Sequence, residues 1–266
     1  MELAKWWPRY LAIVSHFGYS VEEDQKAAEI LSQMLGDNVT SLSKLVKQVK
    51  SRNVLICGAG PSLPSNLDQC IKQGLIENTV MISADGATSA LLEQKLQPDI
   101  IVTDLDGTIP DISLAQRQGT TVVIHAHGDN IPALKQHVPD MVQCAMTKGA
   151  ILGSTQAQPR PGVINFGGFT DGDRCVFIAE ALQAKTIALI GMDLGNTIGK
   201  YSKPELAEDV PATPVKREKL LAAKELLEWL ATWSKSRLIN LTGAHTKIQG
   251  IPDQSITKTF WDTQAD

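Results

Sequence analysis

Short apolar runs of about four residues alternate along most of the chain with stretches whose apolar positions recur at helical spacing. From Asn53 onward the runs are Val54 to Cys57, Val80 to Ser83, Ile100 to Thr103, Thr121 to Ile124, Met141 to Ala145, Val163 to Phe166, Ile187 to Ile190 and Leu238 to Leu241. Most are rich in β-branched residues and too short for a buried helix, so they predict strands covered on both faces. Helix-length segments fall between them, among them Asn66 to Gln73, Ala87 to Leu96, Ile131 to His137 and Asp173 to Ala184. This alternation predicts an α/β fold with a doubly wound, mostly parallel sheet and helices on both faces. In such sheets ligands bind beyond the carboxyl ends of the strands, so the residues just after each run are the ones to inspect.

Residues 1–50 have a different texture. Ser20 and Glu23 make a capping box ahead of a helix reaching Leu35, and a second amphipathic helix fits Leu42 to Val49. Trp6, Trp7, Tyr10 and Phe17 have the chemistry to stack on a ligand, but packing that docks a helix on the main body is the plainer expectation. The segment is expected to be an N-terminal helical cap on an α/β catalytic domain of 51–242, with a C-terminal tail at 243–266. Within that domain 195–213 is long enough to be a lid-like loop and carries Lys200 and Lys203. Thr213-Pro214 then opens a helix, 214–234, with Leu220, Leu227, Leu230 and Trp233 on one stripe.

Composition narrows the class. With 266 residues and 43% hydrophobic content the chain can bury a sizeable core. A net charge of -4 and a pI near 5.8 argue against nucleic acid as a partner. No apolar run approaches the about 20 residues of a membrane span, and MELAKWWPRY lacks a basic start followed by an apolar stretch. A cytoplasmic protein with no membrane partner is expected, with a homodimer as the default assembly. Cys57, Cys70, Cys144 and Cys175 are scattered with no C-x-x-C pair, which indicates neither a zinc knot nor a disulfide framework.

The strand ends carry the chemistry. Ile100 to Gly107, IIVTDLDG, ends a buried strand on Asp104 and Asp106, a placement explained either by a divalent metal or by a turn. After the first run, Gly58, Gly60, Pro61 and Ser62 form a loop able to approach phosphate, although Leu63 stands where a dinucleotide fingerprint needs its third glycine. Asp85 follows the second run and suits a metal, a ribose hydroxyl or a helix cap. The fourth run ends in His125, His127, Asp129 and Asn130; the two histidines share a strand face and could hold zinc or donate to phosphate. After the sixth run come Gly167, Gly168, Thr170, Asp171, Asp173 and Arg174, and after the seventh Asp193. Carboxylates thus follow five strands, a convergence that favours Mg²⁺. Lys216 and Lys219 in the first turns of the last helix oppose its dipole unless an anion sits there. These residues alone point to an ATP- or nucleotide-dependent transferase; no G-x-x-x-x-G-K-[ST] or G-x-S-x-G is present.

The blocks GAGPSL, SADGA, PDIIVTDLDG, HAHGDN, NFGGFTDGDR and IALIGMD, with the lysine-bearing last helix, resemble the archaeal-type 6-hydroxymethyl-7,8-dihydropterin pyrophosphokinases, relatives of the thiamine pyrophosphokinase catalytic domain. The resemblance spans Asn53 to Trp233. It implies transfer of pyrophosphate from ATP to a pterin alcohol with release of AMP and a requirement for Mg²⁺. It also implies Asp104 and Asp106 as Mg²⁺ ligands and catalytic residues, with Asp129 as a further catalytic acid matching the K-D-x-T-D block of the thiamine enzymes. There His127-Gly128 replaces the D-x-T portion. Asp85, Asp171 and Asp173 complete the acidic rim, with Gly58 to Ser62 facing phosphate or substrate. Related domains occur in proteins implicated in flagellar glycosylation. The competing readings are a D-x-D nucleotide-sugar glycosyltransferase and a non-catalytic nucleotide-binding module, with an NAD oxidoreductase weakest.

Overall fold

The computed structural model describes residues 1–40, 42–243, 247–258 and 260–261. Three helices come first, α1 (Leu3–Phe17), α2 (Val21–Leu35) and α3 (Leu42–Val49). Then follow β1 (Asn53–Cys57), α4 (Leu63–Lys72), β2 (Val80–Ala84), α5 (Ala87–Glu93), β3 (Ile100–Thr103), α6 (Ile109–Arg117), β4 (Thr121–Ala126), α7 (Ile131–Ala145), β5 (Ala150–Thr155) and β6 (Val163–Ile164). After them come α8 (Asp171–Ala181), β7 (Thr186–Ile190), the short strands β8 (Thr197–Ile198) and β9 (Val210–Pro211), α9 (Pro214–Ala231) and β10 (Arg237–Asn240).

Eight strands form one sheet in the order β10-β7-β1-β2-β3-β4-β5-β6, every neighbouring pair parallel. The expected doubly wound architecture is therefore present. Side chains alternate between two apolar layers: Val54, Ile56, Ile187 and Leu189 face α1, α3, α8 and α9, whereas Leu55, Cys57, Ala188 and Ile190 face α4 and α5. On that second face Ile101, Val122, Ile124 and Ile151 meet α2, α6 and α7. The chain walks from β1 out to β6, then returns beside β1 as β7, so the direction of winding reverses between β1 and β7.

One predicted strand is a helix. Met141 to Ala145 is the last turn of α7, which runs through Pro139 and buries Leu134, Val138 and Met141 at helical spacing. The strand at that place in the sheet is β5, fully buried although its sequence, AILGST, is small and half polar. The N-terminal aromatics divide. Trp6 and Tyr10 are fully buried, Trp6 lying edge-on to Phe177 at 6.4 Å and donating from Nε1 to the Gln156 carbonyl at 2.8 Å, whereas Phe17 packs beside Tyr19 and Phe169. Ser20 caps α2 by accepting from the Glu23 N–H at 3.2 Å. Among the described residues no helix is long and apolar enough to cross a membrane.

Candidate active site

The ends of β2 and β3 create an acidic centre by bending the backbone. Thr103 Oγ1 donates to Asp85 Oδ1 at 2.9 Å and accepts from the Leu105 N–H at 2.8 Å. Leu105, between the two acids of the D-L-D sequence, has φ 70°, and Asp85 itself has φ 34°. Left-handed conformations at residues with side chains cost on the order of 1–3 kcal/mol each and persist where surrounding structure enforces them. The result is that one oxygen from each of Asp85, Asp104 and Asp106 lies within 4.8 Å of the others. Asp85 Oδ2 and Asp104 Oδ1 are buried and have no hydrogen-bond partner among the described residues.

Crowding dictates the electrostatics. Burial, and after it the neighbouring Asp171, Asp106 and Asp104, push the Asp85 carboxyl well above the usual range. Burial also pushes Asp104 up, but His127, Asp106 and Lys203 together outweigh it and hold that carboxyl below the usual range. His127 Nε2 lies 3.5 Å from Asp104 Oδ2, and Lys203 Nζ pairs with Asp106. All-oxygen donors with two unpartnered buried oxygens fit a hard divalent cation such as Mg²⁺. Zinc does not fit the histidines, because His127 turns to Asp104 while His125 Nδ1 engages Ser154 Oγ at 3.1 Å.

The first turn of α8 contributes acids of two kinds. Asp173 is fully buried and accepts from Phe169 N at 2.8 Å, Thr170 N at 2.7 Å and Thr170 Oγ1 at 2.6 Å, a reciprocal cap that fixes the helix start. Asp171 faces the cavity, and burial followed by Asp104 drives its carboxyl well above the usual range. Arg174, 1% exposed, donates to the carbonyls of Gly168 and Phe169 at 3.0 Å each and keeps Nε without a partner. This tight node explains Gly168: its φ is 86°, and a Cβ there would lie 2.6 Å from Arg174 Cα.

At the β1–β7 reversal two loops are locked together. Gly58 N donates to the Ile190 carbonyl at 2.9 Å and Gly60 N to the Gly191 carbonyl at 2.8 Å. Ser62 donates from N and Oγ to Asp193 Oδ2 at 3.2 and 2.9 Å. The expectation for this loop was that it faces phosphate or substrate; Gly58 and Gly60 line the cavity, and their N–H groups are engaged within the protein. Gly60 is small because a Cβ would collide with Asp193 Oδ2.

Beyond β4 and β5 the N-terminal helices close the site. Asp24 of α2 accepts from Tyr10 OH, from Gln156 Nε2 and from the Gly128 N–H, each at 2.8 Å. Asn130 donates to the carbonyls of Asp104 and His125 at 2.8 and 2.7 Å and accepts from His127 N at 3.1 Å, pinning the turn that carries the histidines. The outcome is one cavity of about 530 Å³ running along the whole strand edge.

The family described as 6-hydroxymethylpterin diphosphokinase MptE-like matches residues 25–199. Proteins named 6-hydroxymethyl-7,8-dihydropterin pyrophosphokinase are 43% identical over 91% of this chain and the whole relative in Pyrococcus furiosus, and 45% identical over 86% of this chain and 95% of the relative in Methanothermobacter thermautotrophicus. The chain belongs to the MptE-like family. It is thus a transferase. The Maf glycosyltransferase of Magnetospirillum magneticum AMB-1 superposes with a TM-score of 0.58 at 13% identity, covering 92% of this chain and 41% of that one, a likeness of fold.

In this MptE-like chain the cavity is lined by Gly58, Gly60, Asp85, Asp104, Asp106, His125, His127, Asp129, Thr170, Asp171, Asp193, Lys216 and Lys219 of the residues expected from sequence. Asp129 lies at the rim with its side chain 72% exposed, 4.0 Å from His127 Nδ1. Pro61, Ser62, Asn130, Gly168 and Asp173 do not line it; where their contacts are given above, they shape the loops that do. Lys216 is half-buried, and burial together with Lys203 pushes its amine below the usual range, a bias an anion would reverse. Sequence reasoning did not single out Asp24, Gln156, Phe169, Ser202 or Lys203 as site residues, and it took Arg174 only as part of the NFGGFTDGDR block. Phe169 and Arg174 carried a signal through that block, and Lys203 through its charge on a long loop.

Proposed function

We propose that the protein transfers the terminal pyrophosphoryl group of ATP to the hydroxymethyl group of 6-hydroxymethyl-7,8-dihydropterin, giving AMP and the pterin diphosphate. The observation that carries this reading is the acidic centre itself. Three carboxylates with two orphan oxygens sit in one cavity with Lys203 and Lys216, the arrangement that charge-neutralising phosphoryl chemistry requires. The names of the relatives supply the acceptor.

Asp85, Asp104 and Asp106 would hold Mg²⁺, which supplies charge neutralisation at the phosphate oxygens when bound. Lys203 exchanges Asp106 for a phosphate oxygen, and the same anion offsets the burial and the repulsion from Lys203 that act on the Lys216 amine. His127 holds Asp104 in its ionised form and fixes its orientation. The substrate hydroxyl oxygen forms a bond to the β phosphorus, the bond from that phosphorus to the bridging oxygen of the α phosphate breaks, and AMP leaves with the bridging oxygen. The hydroxyl proton passes to a carboxylate of the cavity. Asp171, inside it, is better shielded from water than Asp129 at the rim.

The test is to incubate the protein with ATP, MgCl₂ and the pterin alcohol and to separate nucleotides by chromatography. One AMP per pterin diphosphate is expected, and EDTA abolishes it. ADP as the product, or turnover independent of the pterin, overturns the reading; consumption of a nucleotide sugar replaces it with glycosyl transfer.

A further inference from the structure

Among the described residues, five that line the cavity hold a buried polar atom with no hydrogen-bond partner: Asp85 Oδ2, Asp104 Oδ1, Ser202 Oγ, His125 Nε2 and Arg174 Nε. A buried polar atom without a partner is costly and rare, so five along one cavity indicate what its occupant supplies. The two carboxylate oxygens are accounted for by a cation. Ser202 precedes Lys203, which pairs with Asp106, and its hydroxyl suits a phosphate oxygen on that side. His125 Nε2 and Arg174 Nε remain, and phosphate chemistry does not use them.

Strand order gives these atoms an address. Along the edge the loops after β7 and β1 come first, the acids after β2 and β3 lie in the middle, and His125 of β4 with Gln156 after β5 lies at the far end. With strands about 4.8 Å apart, the acids are one or two strand spacings from either flank. A transfer reaction needs donor and acceptor on opposite sides of the transferred group, which places one substrate at each end. The two ends are unlike. At the β7–β1 end the N–H groups of Gly58 and Gly60 are taken up by the Ile190 and Gly191 carbonyls, and Ser62 donates to Asp193. At the β4–β5 end there are two unmet polar atoms and an aromatic wall of Phe169 and Tyr19, their ring centroids 6.3 Å apart with Phe17 behind. Phe169 belongs to the same node as Arg174, which donates to its carbonyl.

We propose that the acceptor's flat, nitrogen-rich ring sits at the β4–β5 end, with His125 Nε2 and Arg174 Nε as polar partners and Phe169 and Tyr19 as its apolar wall, while the nucleoside of ATP occupies the β7–β1 end. This rests on the pyrophosphoryl-transfer reading and adds to it the seat of each substrate. Whichever ring nitrogen of His125 carries its proton, Nε2 of this cavity-lining residue has one unmade bond among the described residues, and a pteridine rim offers both N–H donors and ring-nitrogen or carbonyl acceptors. A largely apolar pocket with a few convergent polar groups is the usual way such a ring is held. Tyr19 and Asp24 come from the N-terminal segment, so this end is walled by residues outside the sheet.

The test separates the two Michaelis constants in His125→Leu, Tyr19→Ala and Ser202→Ala. His125→Leu is expected to raise KM for the pterin about tenfold with KM for ATP unchanged, the effect of one buried hydrogen bond lost from one substrate. Tyr19→Ala, a change at a half-buried position, moves the same constant in the same direction, and Ser202→Ala moves KM for ATP alone. Should ATP respond to His125→Leu and Tyr19→Ala while the pterin does not, the seats are reversed and the proposal fails. If His125→Leu does not fold, titration of the pterin's own fluorescence decides: weaker binding by Tyr19→Ala than by the unsubstituted protein supports the seat, and equal binding overturns it. Absence of AMP from the unsubstituted protein removes the underlying reaction, an outcome distinct from a misplaced seat.

Discussion

Asp24 and Asp85 are both nearly inaccessible, at 2% and 6% exposure, and both line the same cavity, yet the protein treats them in opposite ways. Asp24 accepts three hydrogen bonds, from Tyr10, Gln156 and Gly128, and ties two helices to the loop after β4. Asp85 accepts from Thr103, keeps one oxygen without a partner among the described residues and is crowded by Asp104, Asp106 and Asp171. A buried carboxylate surrounded by donors holds the fold, whereas one surrounded by other carboxylates carries a repulsion that a cation would relieve. The same division separates Asp173, which caps α8, from Asp171 two residues earlier.

The sharpest way to break that comparison is to neutralise one member of each group. Asp104→Asn is expected to lower kcat/KM for pyrophosphoryl transfer on the order of 10³-fold, the scale of a lost charge-stabilising group. Metal-free Tm should fall only slightly, because relief of the repulsion on Asp85 and Asp171 offsets the lost pairing with His127; a Tm that collapses with activity would make Asp104 structural. Asp24→Ala should do the reverse. Three buried donors lose their acceptor, costing about 3 kcal/mol in urea unfolding. An Asp24→Ala protein as stable as its parent would remove the distinction.

A pH series sharpens it further. Asp85 and Asp171 have raised folded pKa values, so the folded state holds protons that the unfolded chain has released above an ordinary carboxylate value of about 4. Their contribution to stability is complete below that value and is lost as pH rises through the raised folded values. Metal-free protein should therefore lose Tm on going from acid to neutral pH, Asp85→Asn should lose less, and Mg²⁺ should restore the loss at neutral pH. Identical pH profiles for parent and Asp85→Asn, with no response to Mg²⁺, would show that the crowding carries no energetic weight. The smallest expected effect is that of Tyr10→Phe. Loss of one of the three bonds to Asp24 should cost about 1 kcal/mol in unfolding free energy. Mg²⁺ affinity by titration should not change.

How much of this was legible in the sequence follows the range of the forces involved. Strands β1 to β4 and β7 announce themselves because burial on both faces demands consecutive apolar residues. AILGST hides a central strand because its neighbours leave little room: a Cβ at Gly153 would lie 2.7 Å from Val163 Cγ2 and 3.0 Å from Leu35 Cδ1. The false strand at Met141 arose from Pro139, which ends most helices but sits inside α7. Within the site, Asp85, Asp104 and Asp106 were legible because polar residues at the end of an apolar run need a reason. Asp24 was not, since its partners Gly128 and Gln156 lie more than a hundred residues away and only the folded chain brings them together. The address of the glycine loop was legible, but its packing against the loop after β7 was not, because that contact joins residues far apart in the chain.

The position of β1 also sets a schedule for synthesis. Its partners are β2, which follows after one helix, and β7, which pairs Thr186 with Asn53 and leaves the ribosome only after six strands have been made. A growing chain can therefore assemble β1 to β5 and the acids at β2 and β3 while one edge of β1 remains unpaired. Contacts between residues so distant in sequence form slowly, and an unpaired apolar strand invites association with other chains. The β1–β7 crevice, with the lining from Thr197 to Leu220 that follows it, completes the cavity late, and the nascent protein is most exposed to aggregation in the interval before that crevice closes.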